Sequence, residues 1–213
     1  MKLFEIRLDQ MTDAELFGDG SLDKILRIPS FSEERFSKTL LVGCGGNFKG
    51  KAGIATVLVP LLEDSGTHSK LTIVGNDGPN ISKEEDYPWF KFLVSSLAAG
   101  TEIDYLLIKP SASARLKLGE LRKSYPTTFH PLEPKGNEIS KYQERLKQWE
   151  TFHFVIAENP GALWIENHHP YSEIEAQDCW YFETENVLSL ELKSRLEEIR
   201  PCLKALEIET TGL

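Results

Sequence analysis

The side chains best suited to chemistry lie in one stretch, TFHFVIAENPGALWIENHH, at residues 151–169. Two apolar runs flank an Asn-Pro-Gly corner, a pattern typical of a β-hairpin. If Pro-Gly forms a two-residue loop, His153 lies opposite His168 and Val155 lies opposite Glu166. Because side chains alternate along a strand, these four positions then share one face of the sheet. The hairpin therefore predicts two imidazoles and one carboxylate in a single site.

Such a set of side chains suits three different roles. Two imidazoles and a carboxylate could ligate zinc or another divalent ion with one position left open. Alternatively, His153 could act as nucleophile or general acid in phosphodiester chemistry, oriented by Glu166. The third interpretation is the polar face of an edge hairpin, with His168 leading into a loop. The candidate catalytic residues are His153, Glu166 and His168, and no metal or other cofactor is predicted.

A second stretch, GCGGNFKGKAG at residues 43–53, has the Gly-x4-Gly-Lys spacing of a phosphate-binding loop over 45–51. A working loop of this kind needs a Ser or Thr hydroxyl after the lysine to ligate magnesium, and Ala52 stands there. Asp77 is the only candidate for the second acidic ligand. The stretch is better explained as a glycine-rich turn with surface lysines. Nucleotide binding at this loop is a minor alternative.

A basic segment follows the apolar run TEIDYLLIKP. Five cations stand between residues 109 and 123 against the single acid Glu120, namely Lys109, Arg115, Lys117, Arg122 and Lys123. Ligands of open α/β sheets commonly bind near the carboxyl ends of strands, where Lys109 is expected. We therefore predict phosphate contacts from Lys109, Arg115 and Lys117, together with Lys51 of the glycine-rich stretch. The alternative is a solvated helix face.

The pattern of apolar residues predicts the elements that must position these side chains. Short apolar runs bounded by turn residues predict strands at 38–44, 70–76, 101–110, 127–134, 152–158, 162–168 and 179–184. Amphipathic spacing predicts helices over 82–100, 113–124 and 139–150, and it leaves 54–64 open between helix and strand. Apolar residues at helical spacing from Leu188 to Leu206 predict a C-terminal helix that is kinked at Pro201.

This order of elements predicts a single α/β domain over residues 1–213. We expect an irregular N-terminal extension over 1–37 and a core over 38–206. The core is predicted to be a mixed, mainly parallel sheet flanked by helices, with a late hairpin and a C-terminal helix.

Composition narrows the classes of function. The net charge of −9 argues against nonspecific nucleic-acid binding by the whole surface. Residues 150–213 contain 13 acids and 4 bases, which is typical of a solvated helix face. Three cysteines at spacings that fit no zinc motif favour a reducing compartment. Neither a signal peptide nor a membrane-spanning run is predicted, so we expect a cytoplasmic protein without membrane contact.

The run FHFV, followed by a short turn, a second strand and a later strand leading into a C-terminal helix, resembles a phospholipase D-like domain. The resemblance covers residues 38–206 in element order. It implies that His153 stands at the position of the family's nucleophilic histidine, with Val155 at the lysine position and Pro160 at the aspartate position. Asn167 falls near the family's Ser or Asn.

The valine at the lysine position implies a degenerate member, because an aliphatic side chain cannot supply charge that binds phosphate. The expected function is therefore a non-catalytic or regulatory module that binds a phosphorylated ligand, a nucleic acid or a protein partner. The alternative is an active phosphodiesterase or nuclease that uses His153. Family members with one motif copy pair as dimers, so the resemblance also implies a homodimer.

Overall fold

The structure, a computed structural model, describes residues 4–5, 39–42, 55–77, 87–136, 142–150, 152–168, 177–182 and 187–207. These residues form nine strands and five α-helices. The strands are β1 (Phe4–Glu5), β2 (Thr39–Val42), β3 (Lys70–Gly75), β4 (Glu102–Leu107), β5 (Phe129–Pro134), β6 (Phe152–Glu158), β7 (Ala162–His168), β8 (Gln177–Phe182) and β9 (Leu203–Ala205). The helices are α1 (Ala55–Asp64), α2 (Tyr87–Ala98), α3 (Ala112–Ser124), α4 (Gln143–Trp149) and α5 (Val187–Ile199).

The nine strands belong to one mixed sheet in the order β1-β2-β8-β7-β6-β3-β4-β5-β9. Strands β3, β4 and β5 run parallel, because α2 and α3 cross over between them. The other six pairings are antiparallel. The predicted α/β class, with its mixed sheet, late hairpin and C-terminal helix, is confirmed. The expected majority of parallel pairings is wrong. Only two pairings, β3 with β4 and β4 with β5, are parallel.

One face of the sheet packs against α1, α2 and α3. Side chains alternate along each central strand, so every second residue points toward these helices. They meet the helices in one apolar cluster that includes Leu58 and Leu62 of α1, Leu93 and Leu97 of α2, Leu118 and Leu121 of α3, and Leu71, Ile73, Ile103, Phe129, Val155 and Trp164 of the strands. Burial of this apolar area is the main stabilising contribution, at about 25 cal/mol per Å².

The opposite face is covered by α4 and α5. Phe154 points away from the apolar cluster because it neighbours Val155, and it meets Trp149 at the end of α4. The two rings are edge to face, with centroids 5.5 Å apart. On α5, the Lys193 ammonium lies 3.0 Å from the carboxylate of Glu158 at the end of β6. The central sheet therefore lies between two helical layers.

The C-terminal apolar repeat forms two elements instead of one kinked helix. Helix α5 ends at Ile199, and residues 200–202 form a single 3-10 turn. Pro201 lacks an amide hydrogen and cannot continue the helix. The chain then enters β9, which pairs antiparallel with β5. Leu206, predicted on the helix, instead packs into the apolar cluster.

Two other segments bear on the predictions. The ambiguous segment 54–64 forms helix α1, although Pro60 lies inside it. The start of the helix predicted at 82–100 lies outside the described residues, and the described helix begins at Tyr87. Among the residues described, no helix combines the length and apolar character needed to cross a membrane.

Helix α5 offers a matched test of this packing. Leu196 is 4% exposed and Leu190 is 57% exposed. We expect Leu196→Ala to lower the free energy of unfolding by about 2–5 kcal/mol, because it leaves a cavity in the core. Leu190→Ala should change it by less than about 0.5 kcal/mol. Urea unfolding followed by circular dichroism measures both values, and equal losses would contradict the placement of α5.

Candidate functional site

The carboxyl ends of β3 and β4 meet the start of β6 at one edge of the sheet. Strand β6 runs antiparallel to β3 with Phe154 opposite Val74, so the preceding residue of β6 lies beside the end of β3. Strand β4 runs parallel to β3 and leads into the first turn of α3 at the same edge. We call the polar residues gathered here the strand-end cluster: Asn76, Asp77, Lys109, Ser111, Glu150 and His153.

His153 is held by a backbone amide of this cluster. Its Nε2 accepts a hydrogen bond from the Asn76 amide N–H at 3.1 Å. A ring nitrogen that accepts from an N–H carries no proton, so its lone pair is directed at Asn76. This peptide unit is also fixed on its other side, because its carbonyl, that of Gly75, accepts the Ile108 amide N–H at 3.0 Å. The Nε2 atom of the candidate nucleophile His153 is therefore engaged inside the protein.

The hairpin is aligned two residues away from the predicted register. His153 lies opposite Glu166, and Val155 lies opposite Trp164. The predicted pairing of His153 with His168 and of Val155 with Glu166 is wrong. Because the shift is two residues, each residue of β7 keeps its predicted face of the sheet. The side chains of Glu166 and His168 lie outside what the structure describes, so a three-residue catalytic site stays a prediction.

The turn explains the shift of register. Strand β6 continues beside the start of β3 as far as Glu158, whose carbonyl accepts the Ser69 amide N–H at 2.8 Å. Four residues instead of two therefore connect the paired Ala157 and Ala162. Asn159 adopts the left-handed conformation, with φ of 51°, which asparagine tolerates better than most residues. A Pro-Gly corner alone does not indicate this longer turn.

Val155 is part of the hydrophobic core. Val155 is 5% exposed and belongs to the apolar cluster. It lies between Ile73 of β3 and Trp164 of β7 in the sheet. No cation stands at this position, and the surroundings would not solvate one.

The charged members of the strand-end cluster have partners. The Lys109 ammonium lies 2.8 Å from the Glu150 carboxylate, although 63% of the lysine side chain is exposed. The Asp77 carboxylate accepts the Ser111 amide N–H at 2.8 Å. Ser111 in turn is the N-cap of α3, where its hydroxyl accepts the Ala114 amide N–H at 3.2 Å. An anionic ligand at this edge must compete with two carboxylates.

One polar atom of the cluster is buried without a partner. Across the part of the chain that the structure describes, the Asn76 side-chain oxygen has no hydrogen bond. Buried polar atoms are nearly always paired, and an exception commonly marks strain or function. Sequence reasoning missed Asn76. The available signal was an amide directly after the buried strand KLTIVG.

The other predicted phosphate-binding residues are paired with carboxylates or lie outside the described residues. Arg115 forms an ion pair with Glu133 on β5. Lys117 lies 3.5 Å from Glu120 on its own helix. Lys51 falls outside the described residues. Phosphate binding by these three residues stays a prediction.

Glu133, the partner of Arg115, is unusual among carboxylates because it is buried. Burial alone would raise the pKa of Glu133, and the hydrogen bond and charge of Arg115 oppose this effect. The amide N–H of Glu207 and the charge of Lys204 act in the same direction as Arg115, so the pKa lies below its ordinary value. Arg115 therefore has a structural role in joining α3 to β5.

The glycine-rich stretch 43–53 lies outside the described residues, but its flanks are seen. Strand β2 precedes it and α1 follows it, which is the strand-loop-helix order that a phosphate loop requires. The proposed acidic partner Asp77 follows β3, and three strands separate β2 from β3 in the sheet. Since neighbouring strands lie about 4.8 Å apart, β2 and β3 are about 19 Å apart. Asp77 therefore stands far from β2, the strand that leads into this loop.

A second polar cluster was also missed by sequence reasoning. It lies on the sheet face opposite the apolar cluster and contains Glu102, Asp104 and His130. The signal was a pair of acids two residues apart in an otherwise apolar strand, EIDYLL. The contribution of His130 could not be foreseen without the pairing of β4 with β5.

Comparisons with known proteins found one distant structural similarity and no sequence family. No protein-family model matches the chain, and no curated protein sequence matches it. A solved structure of TrmBL2, described as an archaeal chromatin protein with a novel mode of DNA binding, is similar at 12% identity and a TM-score of 0.49. The match covers 87% of this chain and 59% of that chain, so the chain spans less than two thirds of its length. A likeness this distant carries no argument about function.

The depressed pKa of the buried Glu133 carboxylate predicts that the stability of the protein depends on pH. Its folded-state pKa is depressed, so its contribution is present above the ordinary pKa of 4.5 and is lost as the pH falls through the lower folded value. We expect Glu133→Gln to lower the free energy of unfolding at pH 7 by about 1–3 kcal/mol. The difference from wild type should shrink below pH 4.5.

Urea unfolding between pH 3 and pH 7 measures this difference. Glu120→Gln is the matched control, because this exposed carboxylate pairs with the surface lysine Lys117 at 3.5 Å. Equal stability of wild type and Glu133→Gln at pH 7 would contradict the structural role of the pair.

Proposed function

We propose that the chain is a non-catalytic module of phospholipase D-like architecture that binds a phosphorylated ligand at the strand-end cluster. The observation that carries this proposal is the hydrogen bond from the Asn76 amide to Nε2 of His153. The position of His153 matches the family's nucleophile, whereas its lone pair is directed at the protein. The same histidine therefore serves to position the edge of the sheet.

Nucleophilic attack on phosphorus requires a free lone pair on the attacking nitrogen. To release it, Asn76 would have to turn its N–H away from His153. The carbonyl of the same peptide unit, that of Gly75, accepts the Ile108 amide N–H, so this peptide cannot rotate without breaking a hydrogen bond at the end of β3 and β4. Support for a non-catalytic module thus comes from backbone geometry as well as from residue type.

The absence of a lysine at the family's position supports the same conclusion. Phosphoryl transfer depends on cations that stabilise the charge developing on the phosphoryl oxygens. Val155 is buried in the core at that position. Removing one such stabilising group typically costs about 10²–10³ in kcat. An arrangement without it is better suited to binding than to turnover.

The choice of ligand rests on Lys109 and on the start of α3. Lys109 is largely exposed, and its ion pair with Glu150 is of the surface type that contributes about 0–1 kcal/mol. A phosphate oxygen can replace that carboxylate at little cost. The first turn of α3 adds the positive end of a helix dipole at the same edge. The net charge of −9 disfavours a long nucleic acid as the ligand.

Two further parts of the proposal follow from the resemblance and the composition. We propose a homodimer, as single-copy family members form, and a cytoplasmic location, as the odd number of cysteines favours. Sedimentation equilibrium at several protein concentrations measures the first. A monomer throughout the concentration range would reject the dimer and leave the ligand proposal in place.

The non-catalytic role is tested by hydrolysis assays. We expect wild type and His153→Ala to hydrolyse bis-p-nitrophenyl phosphate at the same background rate, because neither has an activated nucleophile. Single-stranded DNA should likewise remain intact with both proteins. Turnover by wild type that is lost in His153→Ala would establish an active phosphodiesterase instead.

Ligand binding is tested by calorimetric titration with inorganic phosphate. We expect Lys109→Gln to weaken binding at least about threefold and Glu150→Gln to strengthen it by a similar factor, because a surface pair is worth up to about 1 kcal/mol. Lys123→Gln is the matched control, since this exposed lysine lies in the last turn of α3. Equal affinities for Lys109→Gln and Lys123→Gln, or no saturable binding, would reject the phosphate site.

A further inference from the structure

The second polar cluster, formed by Glu102, Asp104 and His130, is built on two paired strands. Asp104 of β4 lies directly opposite His130 of β5. Glu102 stands two residues before Asp104, so it shares the same face of the sheet. The three potential ligand atoms, two carboxylate oxygens and one imidazole nitrogen, all lie within 4.8 Å of one another. The backbone ladder fixes their spacing, and small side-chain rotations would bring them onto one ion.

His130 is the member of this cluster without a hydrogen-bond partner. In the described ranges its half-buried ring makes no hydrogen bond and no ion pair, although carboxylate oxygens lie within 4.8 Å. A neutral imidazole offers one lone pair, which is the form that ligates metal ions. The ring nitrogen nearest the two carboxylates is thus available as a third ligand.

A cation already lies between the two carboxylates. The Lys70 ammonium is 2.8 Å from Glu102 and 3.0 Å from Asp104. Arg200 approaches Asp104 less closely, at 3.5 Å, and it is held at 2.8 Å by Glu197. The two acids therefore form a cation site in which Lys70 is the occupant.

Lys70 has a second carboxylate nearby with which it can form an ion pair. It lies opposite Glu102 on β4 and opposite Glu158 on β6, one carboxylate on each neighbouring strand. Directly opposite residues share a face, so Glu158, which already pairs with Lys193, is within reach of the flexible lysine stem and can be shared by both ammonium groups. An ion that displaced Lys70 would leave its ammonium near a carboxylate and solvent, and it would not strand a buried charge.

We propose that Glu102, Asp104 and His130 bind a divalent transition-metal ion, such as Zn²⁺, which takes the place of the Lys70 ammonium. Two carboxylate oxygens and one imidazole nitrogen suit Zn²⁺ better than Ca²⁺ or Mg²⁺, which favour oxygen ligands alone. Exchange replaces one positive charge by two beside two negative charges. Lys70 keeps its proton and moves toward Glu158. The site is independent of the strand-end cluster, which lies at the other end of the strands.

The test is calorimetric titration with Zn²⁺ and optical titration with Co²⁺, using the full chain. We expect one ion per chain, with visible Co²⁺ absorption bands that Zn²⁺ abolishes. Glu102→Gln and His130→Ala should each weaken binding at least about tenfold, since each removes one of three protein ligands. His169→Asn, a histidine outside the described residues, is the control and should bind as wild type does.

Lys70→Met distinguishes this site from adventitious binding. Removing a competing charge about 4 Å away should tighten Zn²⁺ binding at least about tenfold, because one such charge near a surface is worth several kcal/mol. Circular dichroism checks that each variant is folded. Binding that Lys70→Met does not strengthen, or that His130→Ala does not weaken, would overturn the proposal, as would the absence of bound ion in wild type and Lys70→Met alike.

Discussion

The antiparallel pairing of β6 with β3 is the interaction on which the rest of the structure depends. It joins the parallel strands β3, β4 and β5 to the antiparallel strands of the hairpin and its neighbours. Hydrogen bonds pin it at both ends, from Ser69 to the Glu158 carbonyl and from Asn76 to His153. This register places Val155 beside Ile73 in the core and leaves His153 at the edge. A slip by one residue would exchange the two faces of β6 and break the apolar cluster.

The same pairing decides what chemistry is open to His153. A histidine at a sheet edge can attack, shuttle a proton or hold a neighbouring strand, and the Asn76 amide favours the last of these. The valine two residues later is equally determined by packing. A lysine at Val155 would place an ammonium between Ile73 and Trp164, where desolvation costs several kcal/mol. The valine is therefore required by the packing of the core, and a lysine substituted there would not be tolerated without loss of stability.

Local pattern predicted much of this fold. The hairpin strands 152–158 and 162–168 have the bounds expected from the sequence, because apolar runs end sharply at Asn-Pro-Gly. Features that depend on distant partners were not predictable. Four turn residues instead of two follow from the Ser69 contact with Glu158, which lies 89 residues away in the chain. Strand β9 exists because β5 offers a free edge after Pro201 stops the helix. The meeting of Asp104 with His130 likewise requires the parallel pairing of β4 with β5.

One electrostatic constraint applies to both proposed sites. At each of them a carboxylate of this acidic chain already pairs with a cation of the same chain, so a ligand must displace one member of an ion pair. At the strand-end cluster an incoming anion must replace Glu150 at Lys109, whereas at the opposite end an incoming cation must replace Lys70 between Glu102 and Asp104. The first exchange breaks only a weak surface ion pair, so the phosphate affinity depends mainly on the charge of the ligand. The second takes place around Asp104, which is buried, so Coulombic effects there are larger and less screened by salt. Ionic strength should therefore affect phosphate affinity more steeply than the exchange of Lys70 for a metal ion.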